Sequence, residues 1–124
     1  MQITAALSML LLAGRAAALG INCRGSTLCS GFTEPAKNLL KYIEGIDGNR
    51  WYVRGQQIAC HGAHCAFIQS ADGADGNRIR ELARKIVAHG CRGCGSAPFA
   101  NNDVSTGQLT FNYVDHQDCR GRLC

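Results

Sequence analysis

Apolar residues recur at Ile79, Leu82, Ala83, Ile86 and Val87, the i, i+3, i+4, i+7, i+8 spacing that lines one face of a helix. Arg78, Arg80, Glu81, Arg84 and Lys85 occupy the other positions, so the pattern predicts an amphipathic helix over 77–89. Asp75 is placed to cap its first turn, and Glu81 precedes Lys85 in the favourable i,i+4 order. His89 sits at the negative end of the helix dipole, and Gly90 follows where a left-handed residue closes helices. A second helix is expected over 34–45. Thr33 is its N-cap, Pro35 lies in its first turn, and Leu39, Ile43 and Ile46 recur with Leu40 and Tyr42 beside them. Gly45 and Asp47-Gly48-Asn49 stop it.

Period-2 alternation marks the strands. Leu109, Phe111 and Tyr113 fall on one face and Gln108, Thr110 and Asn112 on the other, which predicts a half-buried strand over 108–115. Trp51-Tyr52-Val53-Arg54 is aromatic and β-branched and reads as a strand, with Gly55 as a bulge or turn. Shorter strands are expected at Gln56–Cys60 and Cys65–Gln69. Asp72 to Gly76 reads as a turn cluster, 95–107 as loop, and 20–32 as a short extended start followed by a loop. Two helices with short antiparallel strands give an α+β domain with both helices on one face of the sheet.

The amino-terminal end has a different pattern. Ile3–Ala13 is an unbroken low-polarity run of eleven residues, against the ~20 that a membrane-spanning helix needs. Ala16-Ala17-Ala18 supplies small residues for a signal-peptidase cut. The expected organisation is a signal peptide over 1–18 and one domain over 19–124. No second apolar run of membrane length follows, and none of the seven asparagines begins an N-x-S/T sequon. The net charge is +4, one unit of it from Arg15 in the leader. A mildly basic surface suits anionic membranes, cell walls or acidic protein vestibules. It is too weak and scattered to signal nucleic acid.

All eight cysteines (Cys23, Cys29, Cys60, Cys65, Cys91, Cys94, Cys119, Cys124) lie beyond the leader. An even count in a short exported chain implies a disulfide framework. Cys91-Arg92-Gly93-Cys94 has thioredoxin-type spacing, but it follows a helix instead of opening one, so structural half-cystines are the better reading. Cys60-His61-Gly62-Ala63-His64-Cys65 gathers four metal-competent side chains, yet in this setting disulfides are favoured over thiolate ligands, and no metal or cofactor is expected. Glu34, Glu44, Asp47, Asp72 and Asp75 are scattered, and no nucleophile motif accompanies the histidines. The chain is not read as an enzyme.

Three separated blocks carry a resemblance. They are Leu19-Gly20-Ile21-Asn22-Cys23-Arg24-Gly25-Ser26 with Cys29, His89-Gly90-Cys91-Arg92-x-Cys94-Gly95-Ser96-x-Pro98, and Asn102-Asp103-Val104-Ser105-x-Gly107-Gln108-Leu109-Thr110-x-Asn112-Tyr113-Val114. In this order they resemble the KP4-like killer toxin family, known from a virus of a smut fungus and from fungal genomes. The resemblance implies a small disulfide-stapled α/β-sandwich, an antiparallel sheet with two antiparallel helices on one face. It implies a secreted, monomeric toxin that inhibits competing fungi or plant cells. The implied partner is a membrane protein of the target cell, a voltage-gated calcium channel through which calcium uptake is blocked. Alternatives on the same scaffold are a plant-facing virulence effector with another receptor and a cell-wall-binding protein.

The resemblance also implies bridges Cys23–Cys91 and Cys29–Cys94. It leaves Cys60 and Cys65 to pair with Cys119 and Cys124, with Cys60–Cys119 and Cys65–Cys124 the preferred arrangement. The family pattern has one bridge more than eight cysteines allow: a cysteine inside its second helix falls at Arg80 here, and another near Tyr52. A basic stretch before the cysteine matching Cys60 is replaced by Gln56-Gln57-Ile58-Ala59. The candidate target contacts are the basic residues near the strand turns and the start of the second helix: Arg50, Arg54, Arg78 and Arg80.

Overall fold

Helix α1 spans Pro35–Glu44 and helix α2 spans Gly76–Ala88. They belong to a computed structural model that describes residues 19–29 and 34–124. The expected leader over 1–18 and the Thr33 cap lie outside the described residues. Glu34 occupies the N-cap of α1 without a side-chain cap bond, and Pro35 follows it, where its missing N–H would have had no helical acceptor. Asp75 caps α2 by accepting from the Arg78 N–H at 2.8 Å, and Gly90 takes a φ of 99° just beyond the helix.

The two helices run antiparallel. At one end the Asn77 N–H donates to the Gly48 carbonyl at 3.0 Å, and at the other the Ala36 N–H donates to the Arg92 carbonyl at 3.0 Å. Between them Arg84 grips Glu44 with two parallel bonds, Nε to Oε1 at 2.6 Å and a terminal nitrogen to Oε2 at 2.7 Å.

Among the described residues there are seven strands: β1 Trp51–Val53, β2 Ala59–His61, β3 His64–Gln69, β4 Gly73–Asp75, β5 Gly95–Ala100, β6 Asp103–Tyr113 and β7 Arg122–Leu123. Five form an antiparallel sheet in the order β5-β6-β3-β2-β7, and β1 pairs with β4 as a separate antiparallel ribbon. Ala66 opposes Phe111 and Ile68 opposes Leu109 across β3 and β6. These side chains, with Ala59 and Ala97, meet Leu39 and Ile43 of α1 and Ile79, Leu82 and Ile86 of α2 in one buried core. Burial of each large aliphatic side chain contributes about 1.5–3 kcal/mol.

Four segments differ from the sequence expectation, the first being 56–58, which precede a β2 that starts at Ala59 and not at Gln56. Residues 73–75, expected as a turn, are a strand because Trp51–Val53 supplies its partner. Residues 95–107, expected as loop, hold β5 and the start of β6. Asn101 and Asn102 both have positive φ, 57° and 47°, which makes a two-residue hairpin turn with the twist that antiparallel strands favour. Pro98 is tolerated because β5 is an edge strand. The short β7 pairs Leu123 with Ala59 and Arg122 with Cys60.

Every cysteine is bridged. Cys23 is bonded to Cys91 and Cys29 to Cys94, across sequence separations of 68 and 65 residues. The expected Cys60–Cys119 and Cys65–Cys124 pairs are not formed; the bridges are Cys60–Cys65 and Cys119–Cys124. The reason is local. Cys60 and Cys65 face each other in the β2–β3 hairpin with Cα atoms 4.1 Å apart. The chain after Cys119 folds back through Gly121, whose φ is 65°, and brings Cys124 within 5.3 Å Cα–Cα.

Candidate target-binding surface

The four candidate arginines separate into two kinds. Arg78 and Arg80 are built into the fold. The Arg78 guanidinium donates to the Phe99 carbonyl, lies 5.7 Å from the Phe99 ring centroid and pairs with Glu81 at 3.3 Å. It thereby ties α2 to β5. Arg80 donates to the Ile46 carbonyl at 2.5 Å and to Asn77 Oδ1 at 3.5 Å, and its Nε is buried without an acceptor. This residue stands where the family pattern has a helix cysteine, and it links α2 to the loop after α1 by hydrogen bonding.

Arg50 and Arg54 stand at the two ends of β1, and both are exposed. The Arg50 guanidinium carbon lies 4.4 Å from the Tyr52 ring centroid. Arg54 has no side-chain partner among the described residues. Between them the strand alternates sharply: Trp51 is 57% exposed, Tyr52 1% and Val53 54%. Tyr52 enters the core, while Trp51 and Val53 share the outward face. Gly73 is what allows this. A β-carbon at Gly73 would sit 2.8 Å from Trp51 Nε1 and 2.9 Å from Cε2, so the indole lies against the bare backbone of β4. Sequence reasoning missed Trp51 and Val53. The signal was available in the i, i+2 placement of two large apolar residues between arginines.

The glutamines that replace the basic stretch are engaged internally. Gln56 Oε1 accepts from the Val53 N–H at 3.1 Å. Gln57 Nε2 donates to the His116 carbonyl at 2.7 Å, and Gln57 Oε1 accepts from the Asp118 N–H at 2.7 Å, which pins the C-terminal loop to the sheet.

Among the described residues the histidines do not assemble with a nucleophile. His61 Nδ1 is 2.9 Å from the Tyr42 hydroxyl. His64 directs Nε2 into the protein, where it is buried without a partner. Burial holds the His64 pKa below its ordinary value, with a smaller contribution from neighbouring His61. Cys29, His64 and Cys94 bring potential ligand atoms within 4.8 Å of one another, as do Cys60, Cys119 and Cys124. Their sulfurs are held in disulfides and so lack the thiolate form that binds metal.

A small α+β domain with two helices over an antiparallel sheet and four disulfides defines the structural class. The family model for Kp4 matches residues 6–115. The KP4 killer toxin of Ustilago maydis P4 virus is 39% identical over 106 residues, covering 78% of this chain and 81% of the toxin. The chain belongs to the Kp4 family.

Proposed function

We propose that this protein is a secreted killer-toxin-type inhibitor that arrests growth of competing fungi or plant cells by reversible binding to a membrane target and blockade of calcium entry. One observation carries this reading: 39% identity to a killer toxin across most of both chains. The four disulfides suit an extracellular protein, since such bridges persist in oxidising compartments. The target is a calcium channel or its close associate, and the toxin acts as a monomer with no catalytic turnover. Basic side chains suit the acidic rings that line cation pores. Arg54 is free to reach such a site and Arg50, exposed but resting over the Tyr52 ring, stands beside it, whereas Arg78 and Arg80 are committed to backbone carbonyls.

A second reading, a plant-facing effector with a different receptor on the same scaffold, is favoured by one feature. Gln56 and Gln57 stand where the family pattern is basic, and both serve the fold.

Purified protein applied to fungal and plant cells, with radiolabelled calcium uptake measured alongside growth, separates the readings. Calcium-channel blockade predicts reduced uptake and growth arrest relieved by added calcium. Arrest with unchanged uptake sinks the channel reading and leaves the effector reading. Binding to insoluble chitin or glucan without arrest sinks both.

A further inference from the structure

We propose that the β1–β4 ribbon is a membrane-docking edge, which lays Trp51 and Val53 into the headgroup–acyl boundary of an anionic phospholipid bilayer and sets Arg54 among the lipid phosphates, with Arg50 adding positive charge beside them. The inference deepens the membrane-target reading, because a bilayer-seated toxin searches for its target in two dimensions.

Two of the three large exposed apolar side chains among the described residues, Trp51 and Val53, share this one face. The indole is seated against the Gly73 backbone, so little ordering entropy remains to be lost when its outer surface is covered. Trp is the side chain that settles at bilayer interfaces, where an apolar ring with a polar edge meets both phases.

Area argues for lipid over a dedicated protein partner. The exposed parts of Trp51 and Val53 amount to something on the order of 200 Å², against roughly 800 Å² per partner in a stable protein interface. A bilayer needs no matching contour. Charge gives the lipid preference. The chain is basic overall, at +4. Arg54 adjoins the apolar pair with no side-chain partner among the described residues, and Arg50, exposed at the other end of β1, rests over the Tyr52 ring. Long cationic side chains reach headgroup phosphates while their stems stay in apolar surroundings. The nearby acids Asp75, which caps α2, and Asp47, which accepts from the Asn49 N–H, keep their negative charge and offset the arginines. Asp72 is exposed and tempers the local charge, so binding is moderate and reversible.

Trp51 is the only tryptophan in the chain, and its fluorescence reports this face alone. The test uses protein purified as a secretory host releases it, its first residue fixed by mass spectrometry. It is mixed with protein-free phosphatidylcholine vesicles with and without phosphatidylserine. Expected are a blue shift of the emission on vesicles containing phosphatidylserine and quenching by acyl-brominated lipid. Val53→Asp should abolish both, and Arg50→Glu or Arg54→Glu should each weaken binding at least about fivefold. Circular dichroism and Tm of the exposed-site variants control for folding. Unchanged emission at saturating lipid overturns the proposal. So does sedimentation with vesicles without quenching, which places another face on the lipid, or a shift that follows protein concentration instead of lipid. The vesicles contain no channel, so the result stands whether or not calcium entry is blocked in cells.

Discussion

Cys60 Sγ lies 3.9 Å from Cys124 Sγ, although Cys60 is bonded to Cys65 and Cys124 to Cys119. The two bridges therefore form one sulfur cluster, buried at Cys60, Cys65 and Cys119 and partly exposed at Cys124, with Val114 packed against it. Thiol–disulfide exchange needs a thiolate within reach of a bridge, and this arrangement supplies it as soon as one bridge opens. With acid quenching and no free thiol, peptide mapping should find Cys60–Cys65 and Cys119–Cys124. With a trace of small-molecule thiol at mildly alkaline pH, crossed pairs among these four cysteines should appear. Cross-links from this cluster to Cys23, Cys29, Cys91 or Cys94 would contradict the structure.

The four bridges should differ in their effect on stability. Cys23–Cys91 and Cys29–Cys94 close loops of 68 and 65 residues, whereas the other two span separations of 5. In the chain-entropy account the first long bridge contributes about 4 kcal/mol, but with it in place the second closes a ring of only about ten residues and adds about 2.5, close to the ~2 of each short bridge. Replacement of Cys23, Cys29, Cys91 and Cys94 together by serine should lower stability in urea by about 6–7 kcal/mol, against about 4 for replacement of Cys60, Cys65, Cys119 and Cys124. Equal losses would show that local strain or packing outweighs loop entropy.

Arg80→Glu should destabilise the fold, in contrast to Arg54→Glu. Removing the guanidinium leaves the Ile46 carbonyl without its donor, and a buried unsatisfied group costs about 1–3 kcal/mol. Arg54 has no comparable role, and its reversal should stay within about 0.5 kcal/mol. Chemical denaturation of the two variants checks the difference. A wild-type midpoint for Arg80→Glu would return that residue to the pool of target contacts.

Gly73→Ala should disrupt the ribbon. The added methyl would meet the Tyr52 carbonyl at 2.3 Å as well as the Trp51 ring, and both belong to the strand that pairs with β4. The expected outcome is a lower Tm with a changed Trp51 emission in the absence of lipid. Unaltered emission would mean that the indole does not rest on Gly73.

What was legible in the sequence followed from periodicity within a single element. The charged and apolar faces of α2 could be read because Ile79, Leu82 and Ile86 all point into one core. Strand β5 was hidden because Gly95, Ser96, Ala97 and Pro98 carry no strand signature. Gly95 is small because its surroundings are tight: a β-carbon there would stand 2.8 Å from the Asn22 carbonyl oxygen and from Cys91 Sγ, and 3.1 Å from Ile86 Cγ2. Strand β4 was hidden likewise, since Gly73 and Ala74 become a strand only beside β1. At the candidate site the residue type was readable but its engagement was not. Arg78 and Arg80 reach carbonyls 21 and 34 residues away in sequence, and no local pattern separates them from Arg54.

His64 should make stability depend on pH in the mildly acidic range. Its pKa in the folded protein lies below the ordinary 6.5, chiefly because burial penalises the imidazolium and secondarily because His61 is near. The unfolded chain therefore binds a proton at His64 more readily than the folded one. Where the unfolded state holds more protons, stability rises with pH. The His64 contribution is thus full above 6.5, declines as the pH falls through that value, and is gone below the depressed folded pKa. Glu44, whose bidentate pairing with Arg84 lowers its pKa below 4.5, loses its contribution in the same direction but in a more acidic window. Thermal midpoints measured from about pH 8 down to about pH 5 should therefore fall in the wild type. His64→Gln, which cannot titrate, should flatten that slope, while Glu44→Gln should leave it in place. An equal slope in wild type and His64→Gln would show that His64 is solvated in the folded protein.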